Sequence, residues 1–113
     1  MRLGSNCVNS FYYAVIFSSQ RNSSDHSGYE RMTDRMVELA KDQKGFLGIE
    51  SSRGNDGFGI TVSYWKSQED IAAWKANTEH KIAQEFGRSK WYDSFMTRIC
   101  KVEREYSSGK VLP

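Results

Sequence analysis

His80 is a candidate general base, since an unperturbed imidazole titrates near pH ~6.5. Trp74, Trp65, Tyr13, Tyr64 and Phe17 are aromatic side chains able to wall an apolar cleft around a substrate. Met36 could add an adaptable thioether, and Arg98 a cation to hold a substrate anion. Each also has a plainer reading. Trp74 stands at helical spacing from Ile71, as a core residue would, and Trp65 at a strand end suits a subunit contact. His80, between Glu79 and Lys81, suits a solvated helix face, and Arg98 suits a surface or intersubunit ion pair. No metal constellation emerges: His26 and His80 lie in different elements, and Cys7 and Cys100 have no ligand spacing. Cys100 reads as an inert thiol.

The elements that must position these residues follow from periodicity. The central one is a strand over Phe58–Trp65, with Phe58, Ile60, Val62 and Tyr64 on one side and Gly59, Thr61, Ser63 and Trp65 on the other. Ser67 then reads as a helix N-cap with Asp70 three residues on. The helix carries Ile71 and Trp74, breaks near Asn77 or Thr78, resumes over Glu79–Phe86 and stops at Gly87. Before it, Phe11–Ser18 reads as a strand, with Tyr13, Val15 and Phe17 alternating with Tyr12, Ala14 and Ile16, and Ser19–His26 as a surface loop. Ser27-Gly28-Tyr29-Glu30 has the form of a capping box, opening a helix with Met32, Met36, Leu39 and Ala40 on one stripe and Gly45 as its stop. Phe46–Ser52 is a second strand, Arg53–Gly57 a turn, and Trp91–Tyr106 a final strand. Residues 1–10 read as a leader, 11–106 as one domain and 107–113 as a tail.

That order, βαββαβ, predicts an α+β, ferredoxin-like fold with a four-stranded antiparallel sheet. Its helix-free face keeps apolar side chains and needs a cover, which predicts a homodimer packed sheet on sheet. With 113 residues the chain is one domain. Sixteen basic and fourteen acidic residues are intermixed, which argues against a nucleic-acid partner. The apolar run Phe11–Phe17 is too short to span a bilayer, so no membrane partner is expected. Two cysteines fit a cytoplasmic protein with free thiols.

Val62-Ser63-Tyr64-Trp65-Lys66-Ser67, followed by Asp70-Ile71-Ala72-Ala73-Trp74, resembles the antibiotic biosynthesis monooxygenase family, whose members form dimeric α+β barrels. Gly45-Phe46-Leu47-Gly48 and Trp91-Tyr92 with the final strand extend the likeness over about residues 11–106. The resemblance implies a cofactor-independent oxygenase of phenolic or quinol-like substrates, with His80 as base and Trp74, Trp65, Tyr13, Phe17, Tyr64, Met36 and Arg98 about an apolar or aromatic small molecule. The family's haem degraders use an Asn on the first strand, a Trp on the second helix and a His ten residues beyond it. Here Trp74 matches, but Gln84 holds the His position and Ile16 or Phe17 the Asn position, so a haem-degrading monooxygenase ranks behind the other readings and no cofactor is expected. The competing reading is a non-enzymatic dimer that binds a small ligand or serves in a stress response.

Overall fold

The computed structural model describes residues 11–22, 26–87 and 92–109. Along the chain run β1 (Tyr12–Arg21), α1 (His26–Lys41), β2 (Phe46–Arg53), β3 (Phe58–Trp65), α2 (Gln68–Phe86) and β4 (Tyr92–Val102). The strands form one sheet in the order β2-β3-β1-β4, every neighbouring pair antiparallel, which is the ferredoxin-like topology expected from the element order. The barrel implied by the family resemblance is not formed. Among the described residues the sheet is open, with β2 and β4 as edges that each pair on one side only, and four strands are about half the number that closes even a small barrel.

Local chemistry sets the boundaries. Ser67 caps α2 by accepting from the Asp70 amide at 3.1 Å, and Gly87 ends it with φ 77° while its N–H donates to Ala83. Between β2 and β3, the Gly54 amide donates to Phe58 O, the Gly57 amide to Gly54 O and the Phe58 amide to Asp56 Oδ1. Four sequence expectations are corrected. α2 does not break at Asn77 and Thr78 but runs for 19 residues, because Thr78 turns inward and Asn77 hydrogen-bonds Gln43 on the α1–β2 connection. Ser19–Arg21 is not loop but the end of β1, where Ser19 is buried and the Arg21 amide donates to Gly57 O at 2.9 Å. α1 spans His26–Lys41, so Ser27 lies inside its first turn and does not cap it, and the helix ends four residues before Gly45; the expected leader, 1–10, lies outside the described residues.

Register determines which face each side chain shares. Val15, Ala40 of α1, Trp65 and Ile71 of α2 form one buried cluster, with Tyr13, Phe46 and Trp74 packed against it. The side of β3 beneath the helices is therefore Gly59, Thr61, Ser63 and Trp65, its small residues leaving room for the layer above. The larger set, Phe58, Ile60, Val62 and Tyr64, lies on the helix-free face opposite Gln20, Ser18, Ile16 and Ala14. There Phe58 is 46% exposed, Ile60 41% and Met96 of β4 51%.

Candidate functional site

The aromatic residues singled out from sequence separate by face. Trp65, wholly buried, sits at the centre of the helix-side core and not at a subunit surface. Its ring lies 4.7 Å from that of Trp74 at 30°, and Phe46 meets it edge-on at 5.5 Å. Tyr13, opposite Trp65 on β1, packs on the same cluster. Trp65, Trp74 and Tyr13 are thus brought together by β3, α2 and β1. Phe17 lies on the same side of β1, one alternation past Val15, and meets Tyr92 and Phe95 at 5.3 and 5.7 Å. Met36 is half-buried on α1, and His80 is exposed on α2.

Tyr64 and Arg98 lie on the opposite face of the sheet, in rows running through Ala14 and Ile16. A ligand against Trp74 within one chain therefore does not reach them. Tyr64 donates to Glu50 Oε2 at 2.5 Å, and its phenol is pushed up to about 12, by burial first and then by that hydrogen bond. Tyr12 meets Tyr64 edge-on at 6.1 Å and is raised as well, by burial and by Glu105. Both phenols stay protonated near neutrality and serve as donors, not as bases.

Hydrogen bonding distinguishes the two indoles. Trp65 Nε1 donates to Ser63 Oγ at 2.9 Å, satisfying the fully buried ring within its own strand. Trp74 Nε1 is buried and has no partner among the described residues, and the same holds for Thr78 Oγ1 one turn later on α2. Periodicity alone missed Thr78, since reading a break at Asn77 and Thr78 hid its i, i+4 relation to Trp74. An open depression of about 510 Å³ borders this core, lined by Phe11, Tyr13, Lys66, Ser67, Gln68 and Glu69. Tyr13 belongs to both the depression and the core.

At the other end of the helix-side layer, Arg53 reaches back to β1. Its guanidinium donates to Ser19 O at 3.2 Å, to Ser19 Oγ at 2.7 Å and to Gly57 O, and lies 5.6 Å from the Tyr29 ring and 5.7 Å from the Tyr92 ring. Arg21 covers Tyr29 at 4.4 Å. Burial, and secondarily a hydrogen bond with Tyr29, raises the Tyr92 phenol despite the two arginines. Among the described residues no group of three or more His, Cys, Asp or Glu side chains could hold a metal, and no helix is long and apolar enough to cross a membrane. Gln84, ten residues beyond Trp74, is exposed on α2.

The antiparallel sheet beneath two helices, with a tryptophan on the second helix facing the core, agrees with the comparison to known families. The chain belongs to the antibiotic biosynthesis monooxygenase family, whose model matches residues 13–85. It is 55% identical over 94 residues to the uncharacterized protein YqjZ of Bacillus subtilis, covering 83% of this chain and 82% of that one. It is 24% identical over 103 residues to the jasmonate monooxygenase ABM of Pyricularia oryzae, covering 88% of this chain and 47% of that longer protein. Among solved structures, SnoaB, a cofactor-independent oxygenase from Streptomyces nogalater, matches with TM-score 0.59 at 10% identity, covering 90% of this chain and 97% of its own.

Proposed function

We propose that this protein is a small-molecule oxygenase that oxidises a phenolic or quinol-like substrate without a bound cofactor, acting as a homodimer. The observation that carries the reading is the Trp65–Trp74 pair, in which one indole is satisfied internally and the other keeps a buried N–H unpaired. With Trp65 wholly buried behind it, the half-buried Trp74 ring is the one that would stack on a flat aromatic substrate, and an oxygen on that substrate would gain its N–H as donor. A relative named as a monooxygenase supports oxygen chemistry in this family.

The chemistry closes without an external reductant. In an anthrone, the ring methylene gives up two hydrogens and the electrons with them. One atom of dioxygen remains as the new carbonyl oxygen and the other leaves as water. The protein's part is to bind the ring, exclude water and hold the developing anion beside the Trp74 N–H. His80 enters by residue type, as proton acceptor. Exposed and about 120° round α2 from Trp74, it would act through solvent, so its replacement would lower turnover more than ligand affinity.

Aerobic incubation with a panel of anthrones and hydroquinones tests the reading. Oxygen uptake that falls at least tenfold in Trp74→Ala is expected. Saturable binding with no uptake above a His80→Ala control would make this a binding protein, and no binding at all would remove the cleft. The proposed homodimer draws on the apolar side chains exposed on the helix-free face.

A further inference from the structure

We infer that the helix-free face receives a second copy of this chain in one orientation, with the two-fold axis running along the strands and Glu50 of each copy set against Arg98 of the other. The inference rests on the homodimer reading given above and adds to it the geometry of the contact and the two residues that fix it.

Strand pairing lays this face out in rows that cross the sheet. Glu50 of β2 stands beside Val62 of β3, Val62 beside Ile16 of β1, and Ile16 beside Arg98 of β4. One row therefore begins at an anion, passes over two half-buried aliphatic side chains and ends at a cation. From the Gly48–Tyr64–Ala14–Cys100 row to the Phe58–Gln20–Ser94 row, these two residues carry the only charges. They cannot meet within one chain, because three strand spacings, about 14 Å, separate their backbones. Both residues are exposed, and Arg98 has no hydrogen bond or ion pair among the described residues. Glu50 accepts from the Tyr64 hydroxyl at Oε2, which leaves Oε1 open to a further donor.

Two identical sheets packed face to face need a two-fold axis lying between them, and aligned packing leaves two directions for it. With the axis along the strands, each row faces its own copy in reverse order. Glu50 then lies over the partner's Arg98, and Val62 over the partner's Ile16. A crossing of about 30° displaces the edge positions by only a few ångströms, within the reach of an arginine. With the axis across the strands, each strand faces its own copy, so the glutamates share one edge, the arginines the other, and no placement brings opposite charges together. Side-chain size selects the same axis. On this face β3 carries Phe58, Ile60, Val62 and Tyr64, while β1 carries Gln20, Ser18, Ile16 and Ala14 in the paired positions. The axis along the strands sets β3 over the partner's β1, so that Tyr64 lies over Ala14 and Ile60 over Ser18, large against small. The other axis would stack β3 on β3.

The test measures dimer dissociation of the intact protein by sedimentation at low salt. Glu50→Arg and Arg98→Glu should each weaken the wild-type dimer at least about tenfold, since each sets two like-charge pairs in the interface. Glu50→Arg combined with Arg98→Glu in one chain should return the dimer to within about threefold of wild type, a rescue that residues on opposite sheet edges cannot produce inside a monomer. Circular dichroism verifies the fold of each variant. If a reversal does not fold, Glu50→Gln and Arg98→Gln supply the same cycle one charge at a time, with non-additive losses expected. Single variants that dimerise as tightly as wild type, or a combined variant no tighter than the singles, would overturn the inference while leaving the homodimer standing. A wild-type mass of one chain would overturn the homodimer reading itself, a result seen before any variant is made.

Discussion

Asp70 occupies the space that a side chain on residue 45 would need. A Cβ placed on Gly45 would stand 2.0 Å from Asp70 Oδ2 and 2.7 Å from Asp70 Cβ, and Gly45 itself has φ 84°. The same residue accepts from the Lys66 amide at 2.8 Å, so it joins the entry of β2 to the start of α2. The glycine that follows α1 thereby also seats the helix that carries Trp74.

Gly45→Ala is therefore expected to destabilise by more than about 2 kcal/mol, combining left-handed strain with the collision. In an Asp70→Ala background the loss should shrink but persist, since the contact with Cβ of residue 70 and the positive φ both remain. Urea denaturation of the four proteins measures the coupling. A single Gly45→Ala loss under about 0.5 kcal/mol would show that the close approach relaxes freely.

Arg53 and Gly59 form a second pair of this kind. A Cβ on Gly59 would lie 2.7 Å from Arg53 Cζ, so the bare glycine lets the guanidinium lie across the sheet to reach Ser19 and Gly57. Arg53→Ala should cost about 2–3 kcal/mol, because two carbonyls and a buried hydroxyl lose a charged donor. Gly59→Ala alone should destabilise by displacing Arg53, yet be tolerated once Arg53 is alanine. Additive losses in a double-mutant cycle would refute this dependence.

Alkaline pH should weaken the fold. Tyr64 holds its proton up to about 12 against an ordinary value of 10.0, with burial as the first cause. Between those values the unfolded chain has lost the proton and the folded chain has not, so stability declines as pH rises through that window and is unaffected by this group below it. Tyr12 and Tyr92 are displaced in the same direction. Urea midpoints measured from about pH 9 to about pH 11 should fall, and fall less in Tyr64→Phe. A spectrophotometric titration of the folded protein in which every tyrosine ionises at the ordinary value would contradict the assignment.

The homodimer proposal predicts a solution mass of about twice the 13.0 kDa chain at micromolar concentration. Ile60→Glu should return it to a monomer, because Ile60 is 41% exposed on the helix-free face and a carboxylate there would be desolvated in any sheet-to-sheet contact. Light scattering decides both points. A wild-type mass near that of one chain would end the proposal.

Much of the architecture was legible residue by residue. The two-residue alternation of Phe58–Trp65, the Ser67 cap with Asp70, and the stop at Gly87 depend on backbone geometry within a few positions, which local chemistry sets directly. The misreadings share a cause. Asn77 and Thr78 look like helix breakers, and Ser19 looks like loop, because polar residues favour such places when nothing packs on them. In the fold, Asn77 bonds Gln43 and Arg53 reaches across from β2 to Ser19, so partners more than thirty residues away override the local preference.

For the site, residue type pointed to Trp65, Trp74 and Tyr13 as a group but could not separate them from Tyr64 and Arg98, since aromatic and cationic character does not reveal which face a side chain shares. Antiparallel register decides that: moving β1 by one residue against β3 would exchange the two faces. What the sequence by itself determined is the set of six elements, their order and the family they belong to, because these depend on periodicity, caps and turns written over short spans. What only the tertiary structure decided is that the sheet stays open, that Ser63 satisfies Trp65, and that Trp74 Nε1 and Thr78 Oγ1 are buried with no hydrogen-bond partner among the described residues. Those outcomes depend on which atoms long-range packing brings within about 3.5 Å, a distance that no local pattern encodes.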